Sequence, residues 1–201
     1  MLKIVLASRN AHKIREIKEI LSAAVGYELE ILSLDDIGVS GDIEENGNSF
    51  EENAKIKASL PASMGYIGIA DDSGLAVDAL NGEPGIYSAR YAGEPCNDQN
   101  NNDKLLSKME GISDRTACFV SCVAAVRPDG KSLVCCGECP GTILYAPQGN
   151  GGFGYDPLFW YEPLQKTFAE LTSEEKNTIS HRARALEQFC KQFIAFWEDS
   201  K

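Results

Sequence analysis

Two adjacent carboxylates, Asp71 and Asp72, follow the apolar run IGIA and are followed at once by Ser73 and Gly74. Neighbouring negative charges at the end of a buried strand repel each other unless a cation meets them. Mg2+ suits such a pair, because it takes one or two carboxylates plus substrate phosphates. One of the two can also orient or deprotonate a water. The plainer alternative is a capped turn in which Asp71 or Ser73 bonds nearby backbone.

Cations that could face phosphate are concealed by an acidic average. SRNAHK, residues 8–13, joins an apolar run to a helical pattern. Free backbone N–H groups and the helix dipole favour an anion at such a junction, Asn10 can donate, and Lys13 adds a full charge. The spacing fits neither a P-loop nor G-x-G-x-x-G, and a solvated turn is the plainer alternative. In EENGNSFEENAKIKA, residues 44–58, Glu44 and Glu45 precede a helix on which Asn53 and Lys57, four apart, share a face. Carboxylate, amide and ammonium near one helix start suit a metal–phosphate ligand; ordinary acidic surface is the alternative.

Two further segments suit a flat ring. In GNGGFGYDPLF, residues 149–159, glycines let backbone approach a ligand, Phe153 or Tyr155 can stack, and Asp156 can accept a hydrogen bond. A flexible loop with two core aromatics is the alternative. EEKNTISHRARAL, residues 174–186, supplies Lys176, His181 and Arg182. No G-x-S-x-G elbow accompanies the histidine, so His181 reads as a hydrogen-bond donor and not as part of a hydrolase triad. A helix N-cap with exposed basic side chains is the plainer reading.

These residues need elements to place them. LKIVLA reads as a buried strand, followed by a helix with Ile14, Ile17, Ile20 and Leu21 on one side. Residues 27–34 and 66–71 read as strands. Ser49 with Glu52 forms a capping-box pattern at the start of a second helix. NNDKLLSKM reads as a helix after an Asn-rich turn. Residues 116–126 and 131–138 pair as a hairpin across RPDGK. A last helix opens at Ser180 with Ala185, Phe189, Phe193 and Phe196 on one side. Strands alternate with helices and then cluster, which predicts an α/β fold with a mixed β-sheet.

Composition narrows the function classes. A chain of 201 residues with 43% hydrophobic and 24% charged residues suits a single globular domain built as two lobes. No apolar run reaches membrane-spanning length, the N-terminus reads as a strand, and a cytoplasmic location is expected. A net charge of −11 without a basic stripe argues against nucleic acid as partner. Seven cysteines, an odd count without an export signal, predict reduced thiols. Cys136 and Cys139, with Cys118 and Cys122 upstream, raise a zinc site. The favoured reading is that strands use cysteine as a small apolar residue, since C-x3-C is poor zinc spacing and Cys118 and Cys122 fit one strand face.

The segments ASRNAHKIREI, ENGNSFEENAKIKA, ADDSGLAVDALNGEPGIYSARYAG, GGFGYDPLF and ELTSEEKNTISHRARAL, in this order over nearly the whole chain, resemble the inosine triphosphate pyrophosphatase family. The resemblance implies a two-lobed α/β fold around a long twisted mixed sheet, an active cleft between the lobes, and a homodimer. It implies Mg2+-dependent cleavage of ITP, dITP and XTP to the monophosphate and pyrophosphate, which keeps deaminated purines out of DNA and RNA. By the resemblance, Ser8, Arg9, Asn10, Ala11, His12 and Lys13 form the phosphate loop, and Lys57 contacts the triphosphate. Glu45 and Asp72 hold Mg2+ with help from Asp71, and Asp72 is the proton acceptor. Ser73 lies against the substrate. Phe153, Gly154, Tyr155, Asp156, Lys176, His181 and Arg182 bind the nucleotide, with Phe153 on the base, and donors from His181 or Arg182 favour a 6-keto group over an amine. Tyr87 and Arg90 belong to the lobe junction or dimer contact. Arg9 departs from the family's usual T-G-N-x-x-K, where a glycine stands. The alternatives are a non-catalytic nucleotide-binding or sensing module, a pyrophosphatase for other modified nucleotides, and a zinc-binding module.

Overall fold

The computed structural model describes residues 2–24 and 28–199. Strand β1 (Leu2–Leu6) sends alternate side chains into two apolar layers. Leu2, Ile4 and Leu6 join Ile17 and Leu21 of helix α1 (Ala11–Ala24) and Ala185, Leu186, Phe189 and Phe193 of helix α5 (His181–Glu198). Val5, with Ala7 just beyond the strand, joins Ala54, Ala58 and Ala62 of helix α2 (Phe50–Ser63). A strand covered on both faces has little polar side, hence a run apolar at every position but Lys3, which is exposed and pairs with Glu30.

Strand β2 (Leu29–Ser33) is shorter than the expected 27–34, of which Tyr27 lies outside the described residues. Strand β3 (Ile67–Val77) departs further from expectation. It does not end at Asp71 but runs on through Asp72, Ser73 and Gly74. Leu75 and Val77 then enter a separate apolar cluster with Leu105, Phe119, Phe159 and Phe168. The two carboxylates are therefore mid-strand, which is tolerable only because buried cations meet them.

Helix α3 (Asp98–Lys108) also starts earlier than expected, inside the Asn-rich stretch. Asn97 caps it by accepting from Asn100 N at 2.9 Å, the role for which asparagine is suited. Strands β4 (Thr116–Val126) and β5 (Ser132–Ile143) form the predicted hairpin. Arg127 N donates to Lys131 O and Gly130 N to Arg127 O across the turn, both at 2.9 Å. Strands β6 (Phe159–Tyr161) and β7 (Lys166–Thr167) and helix α4 (Ser173–Ile179) complete the strands and α-helices among the described residues. The mixed seven-stranded sheet has the order β2-β1-β3-β4-β5-β6-β7, with β1 parallel to β2 and β3, and β6 antiparallel to β5 and β7.

The hairpin corrects the expectation of reduced thiols. Cys122 of β4 and Cys136 of β5 form a disulfide, their Cα atoms 4.0 Å apart. Neighbouring antiparallel strands bring directly opposed residues to about that separation, so the pairing follows from register. Cys136 and Cys139 lie three apart on one strand and so point to opposite faces.

The chain divides into two compact units, Met1–Asp72 with Ser121–Gly137 and Arg182–Lys201, and Ser73–Val120 with Glu138–His181. In the first, α2 lies directly on β3. A Cβ at Gly68 would sit 2.0 Å from the Ala58 carbonyl oxygen. Only glycine permits this approach, and it brings the face of α2 carrying Asn53 and Lys57 to the aspartates.

Candidate active site

In the first unit, the first two turns of α2, the middle of β3 and the segment before α2 converge. The Lys57 ammonium donates to Glu45 Oε1 and to Asp72 Oδ1, each at 3.0 Å. Asn53, fully buried, donates through Nδ2 to Asp72 Oδ2 at 3.2 Å and accepts from Gly47 N at 2.9 Å. One helix face thus fixes Asp72 and the segment carrying Glu45. The helix starts where predicted: Ser49 Oγ accepts from Glu52 N at 3.1 Å, while Glu52 reaches back to Asn48 N.

Asp71 has a different environment. Arg182, among the most buried side chains, donates Nε and Nη2 to Asp71 Oδ2 at 3.2 and 3.1 Å, and its Nη1 pairs with Glu16. Lys13 Nζ lies 3.3 Å from the same oxygen. Asp71 Oδ1 is buried and has no hydrogen-bond partner among the described residues.

These surroundings separate the two acids. Burial pushes Asp71 up, but Lys13 and Arg182 outweigh it and hold the carboxyl well below its ordinary value. Burial raises Asp72 above its ordinary value against the pull of Lys57 and Lys13. Burial lowers Lys13. It also works against the Lys57 ammonium, but Asp72, Asp71 and Glu45 outweigh it and raise the group. One carboxylate is therefore a fixed counter-ion, and its neighbour is the more basic. A more basic carboxylate is the better proton acceptor.

The donor set fits a hard cation. Carboxylate oxygens of Glu45 and Asp72 already converge on one positive centre, and Asp71 Oδ1 is a buried acceptor still to be satisfied. Among the described residues no group of three or more His, Cys, Asp or Glu side chains is placed to hold a metal ion by itself. Mg2+ does not need such a cage, because waters and substrate phosphates complete its shell.

The loop before α1 differs in detail from expectation. Asn10 acts as an acceptor: its Oδ1 takes the backbone N–H groups of His12 and Lys13 at 3.0 and 3.2 Å. Asn10 N in turn donates to Ser8 Oγ at 3.3 Å. Ala11 and His12 are exposed on the first turn of α1. The Arg9 guanidinium turns to the segment after β2, donating to Gly41 O and Val39 O at 2.8 Å and to Asp35 Oδ1 at 2.9 Å.

The second unit holds the other predicted residues. Asp156 Oδ2 accepts from Phe153 N at 2.9 Å and from Lys176 Nζ at 2.7 Å, and that ammonium sits 4.6 Å from the centroid of the Phe153 ring. The His181 ring is buried and stacks on Phe119 at 4.7 Å. Tyr155 is core, its hydroxyl donating to Ser88 O at 2.9 Å, which leaves Phe153 as the ring able to meet a base. Ser73 is half-buried on β3, and Tyr87 is exposed with the Arg90 guanidinium 5.3 Å above its ring. Arg182, expected beside these nucleotide-binding residues, is engaged by the carboxylates of the first unit.

The model of the Ham1 family matches residues 4–192. The chain belongs to the Ham1 family. It is 52% identical over 197 residues to a dITP/XTP pyrophosphatase of Clostridium perfringens, with 94% of this chain and 95% of that protein covered. To a dITP/XTP pyrophosphatase of Geobacter sulfurreducens it is 50% identical over 189 residues, covering 92% and 94%. Among solved structures, the Ham1 protein of Staphylococcus aureus aligns with a TM-score of 0.86 at 42% identity, covering 99% of this chain and all of that one (100%). A HAM1 protein of Coxiella burnetii aligns with a TM-score of 0.89 at 42% identity, covering 97% and 100%. The resemblance read from the five motifs is borne out at the level of the family and of the α/β fold. Ham1-family membership implies a divalent metal cofactor in general.

Sequence reasoning passed over Glu16, the second partner of Arg182, and read Asn53 as an amide near a metal–phosphate ligand, not as the residue that fixes Asp72. Glu16 lies three residues after Lys13, so both share the α1 face that meets Asp71 and Arg182. Asn53 and Lys57 carried the signal in their four-residue spacing.

Proposed function

We propose that this Ham1-family protein hydrolyses ITP, dITP and XTP to the nucleoside monophosphate and pyrophosphate, keeping deaminated purines out of DNA and RNA. The family and the relatives named dITP/XTP pyrophosphatase support the reaction class. The observation that carries the mechanism is the convergence of Asp72 Oδ1 and Glu45 Oε1 on one cation, beside an Asp71 held by Arg182 and Lys13.

In this reading Asp72 accepts the proton of the attacking water, held in place by Asn53 and Lys57. Glu45 and Asp72 would hold Mg2+, with Asp71 assisting. Mg2+, when bound, neutralises phosphate charge and polarises the phosphoryl oxygens. Lys13 and Lys57 contribute positive charge to the triphosphate. Ser8, Asn10, Ala11 and His12 shape the phosphate loop, and Arg9 braces it from the side. In the second unit Phe153 stacks on the base, Asp156, Lys176 and Ser73 orient the nucleotide, and His181 donates to the 6-keto oxygen. An adenine amine would present a second donor there and lose that bond. Arg182 serves through Asp71. Tyr87 and Arg90 belong to the lobe junction or a homodimer contact, and the protein works in the cytoplasm.

The test is pyrophosphate release with Mg2+ from dITP, XTP, ATP, GTP, dTTP and dCTP, each beside Asp72→Asn. Turnover of dITP and XTP far above the others, lowered about 10²–10⁴-fold in the variant, is expected. Preference for another nucleotide would overturn the base assignment and keep the chemistry. Tight binding without turnover would make the protein a nucleotide sensor.

A further inference from the structure

The loop that carries Phe153 and Asp156 is tied to α3 through one glycine peptide. Gly154 has φ of +60°, a left-handed backbone that suits glycine. Its N–H donates to Asp98 Oδ2 at 2.7 Å, and its carbonyl accepts from Asn102 Nδ2 at 3.0 Å. Asp98 and Asn102 stand four residues apart on α3, on one face. Asn102 is buried, and its Oδ1 is buried with no partner among the described residues. Both hydrogen-bonding groups flanking Gly154 Cα are thus engaged by the same helix. Asn101, next to Asn102, grips a different segment by accepting from Ala92 N at 2.7 Å and donating to Ala89 O at 2.9 Å.

The grip has a direct consequence for Phe153. Its own N–H is held by Asp156 Oδ2, and the peptide after Gly154 follows from the α3 contacts. Gly151 N donates to Ala169 O and Ala169 N to Asp156 O, so the α3 contacts fix the stretch between these anchors, where Gly152 and Gly154 would otherwise let the backbone sample many states. Ordering those states on binding weakens a ligand in proportion to what must be fixed.

We infer that Asp98 and Asn102 are positioning residues for base recognition, acting through the Gly154 peptide to set the Phe153 ring and the Asp156 carboxylate. This rests on the assignment of Phe153 and Asp156 to the base. The hydrogen bonds that Asp98 and Asn102 make to this loop both go to the Gly154 peptide, so their effect falls on affinity for the nucleoside end and on selectivity, not on the chemical step.

The experiment compares wild type with Asp98→Ala, Asn102→Ala and the conservative Asp98→Asn. Calorimetry measures binding of dIMP and, separately, of inorganic tripolyphosphate; kinetics measure kcat and KM for dITP and dATP. Each alanine variant is expected to weaken dIMP binding and raise KM for dITP about 5–10-fold, the size of one lost hydrogen bond. The dITP preference over dATP falls with it, while kcat and tripolyphosphate binding hold, and Asp98→Asn restores most of the loss. Asp98 is exposed, so its variants test the idea even if Asn102→Ala unfolds. Unchanged dIMP binding in Asp98→Ala would overturn the inference, as would equal weakening of dIMP and tripolyphosphate. Wild type that binds dIMP yet fails to turn over dITP would overturn the proposed function while leaving the positioning role standing. Wild type that ignores dIMP would overturn both.

Discussion

At the scale of single residues, the adjacent aspartates show how neighbours on one strand acquire opposite duties. Asp71 meets Arg182 and Lys13, whereas Asp72 meets Lys57 and Asn53. Asp71 titrates lower in the folded protein than in the unfolded chain, where its pKa is about 3.9. It therefore adds stability that is full above that value and is lost as pH falls toward the depressed native one. Thermal melts of wild type and Asp71→Asn without added metal should differ most at neutral pH and converge as the pH drops below about 4. A constant gap across that range would show that the pair does not act through charge. The need of these carboxylates for positive partners was legible in the sequence. Which cation meets which was not, because Arg182 is distant in sequence and reaches Asp71 only through the tertiary fold.

At the scale of elements, capping was the best guide. Ser49 begins α2 as its pattern predicts, and Thr172 with Glu175 closes a reciprocal capping box at α4. Ser49→Ala should lower stability by about 1 kcal/mol, read as a fall in Tm of roughly 2–4 °C for a chain of this size. An unchanged melt would mean that packing alone sets the start of α2. Other boundaries were hidden. The continuation of β3 to Val77 depends on a second apolar cluster that resumes burial after the charged pair, and periodicity cannot see across two aspartates. The start of α3 at Asp98 was masked because Asn-rich sequence has turn propensity, yet here Asn97 caps while Asn101 and Asn102 bind distant backbone.

At the scale of the whole molecule, alternating strands and helices gave away the α/β class, whereas the disulfide was invisible because pairing depends on register across the β4–β5 hairpin. Alkylation of denatured, unreduced protein followed by mass measurement should find five reactive cysteines, and seven after reduction. Seven in both cases would show Cys122 and Cys136 to be thiols in solution. No helix among the described residues is long and apolar enough to cross a membrane. The contact at Gly68 bears on how the chain tolerates change. That residue has no functional atom, yet any side chain there must lift α2 off β3 and draw Lys57 and Asn53 away from Asp72. A saturation survey that scores activity apart from abundance should therefore rank position 68 beside Asp72 itself. Part of the machinery of this enzyme is written as the absence of a methyl group.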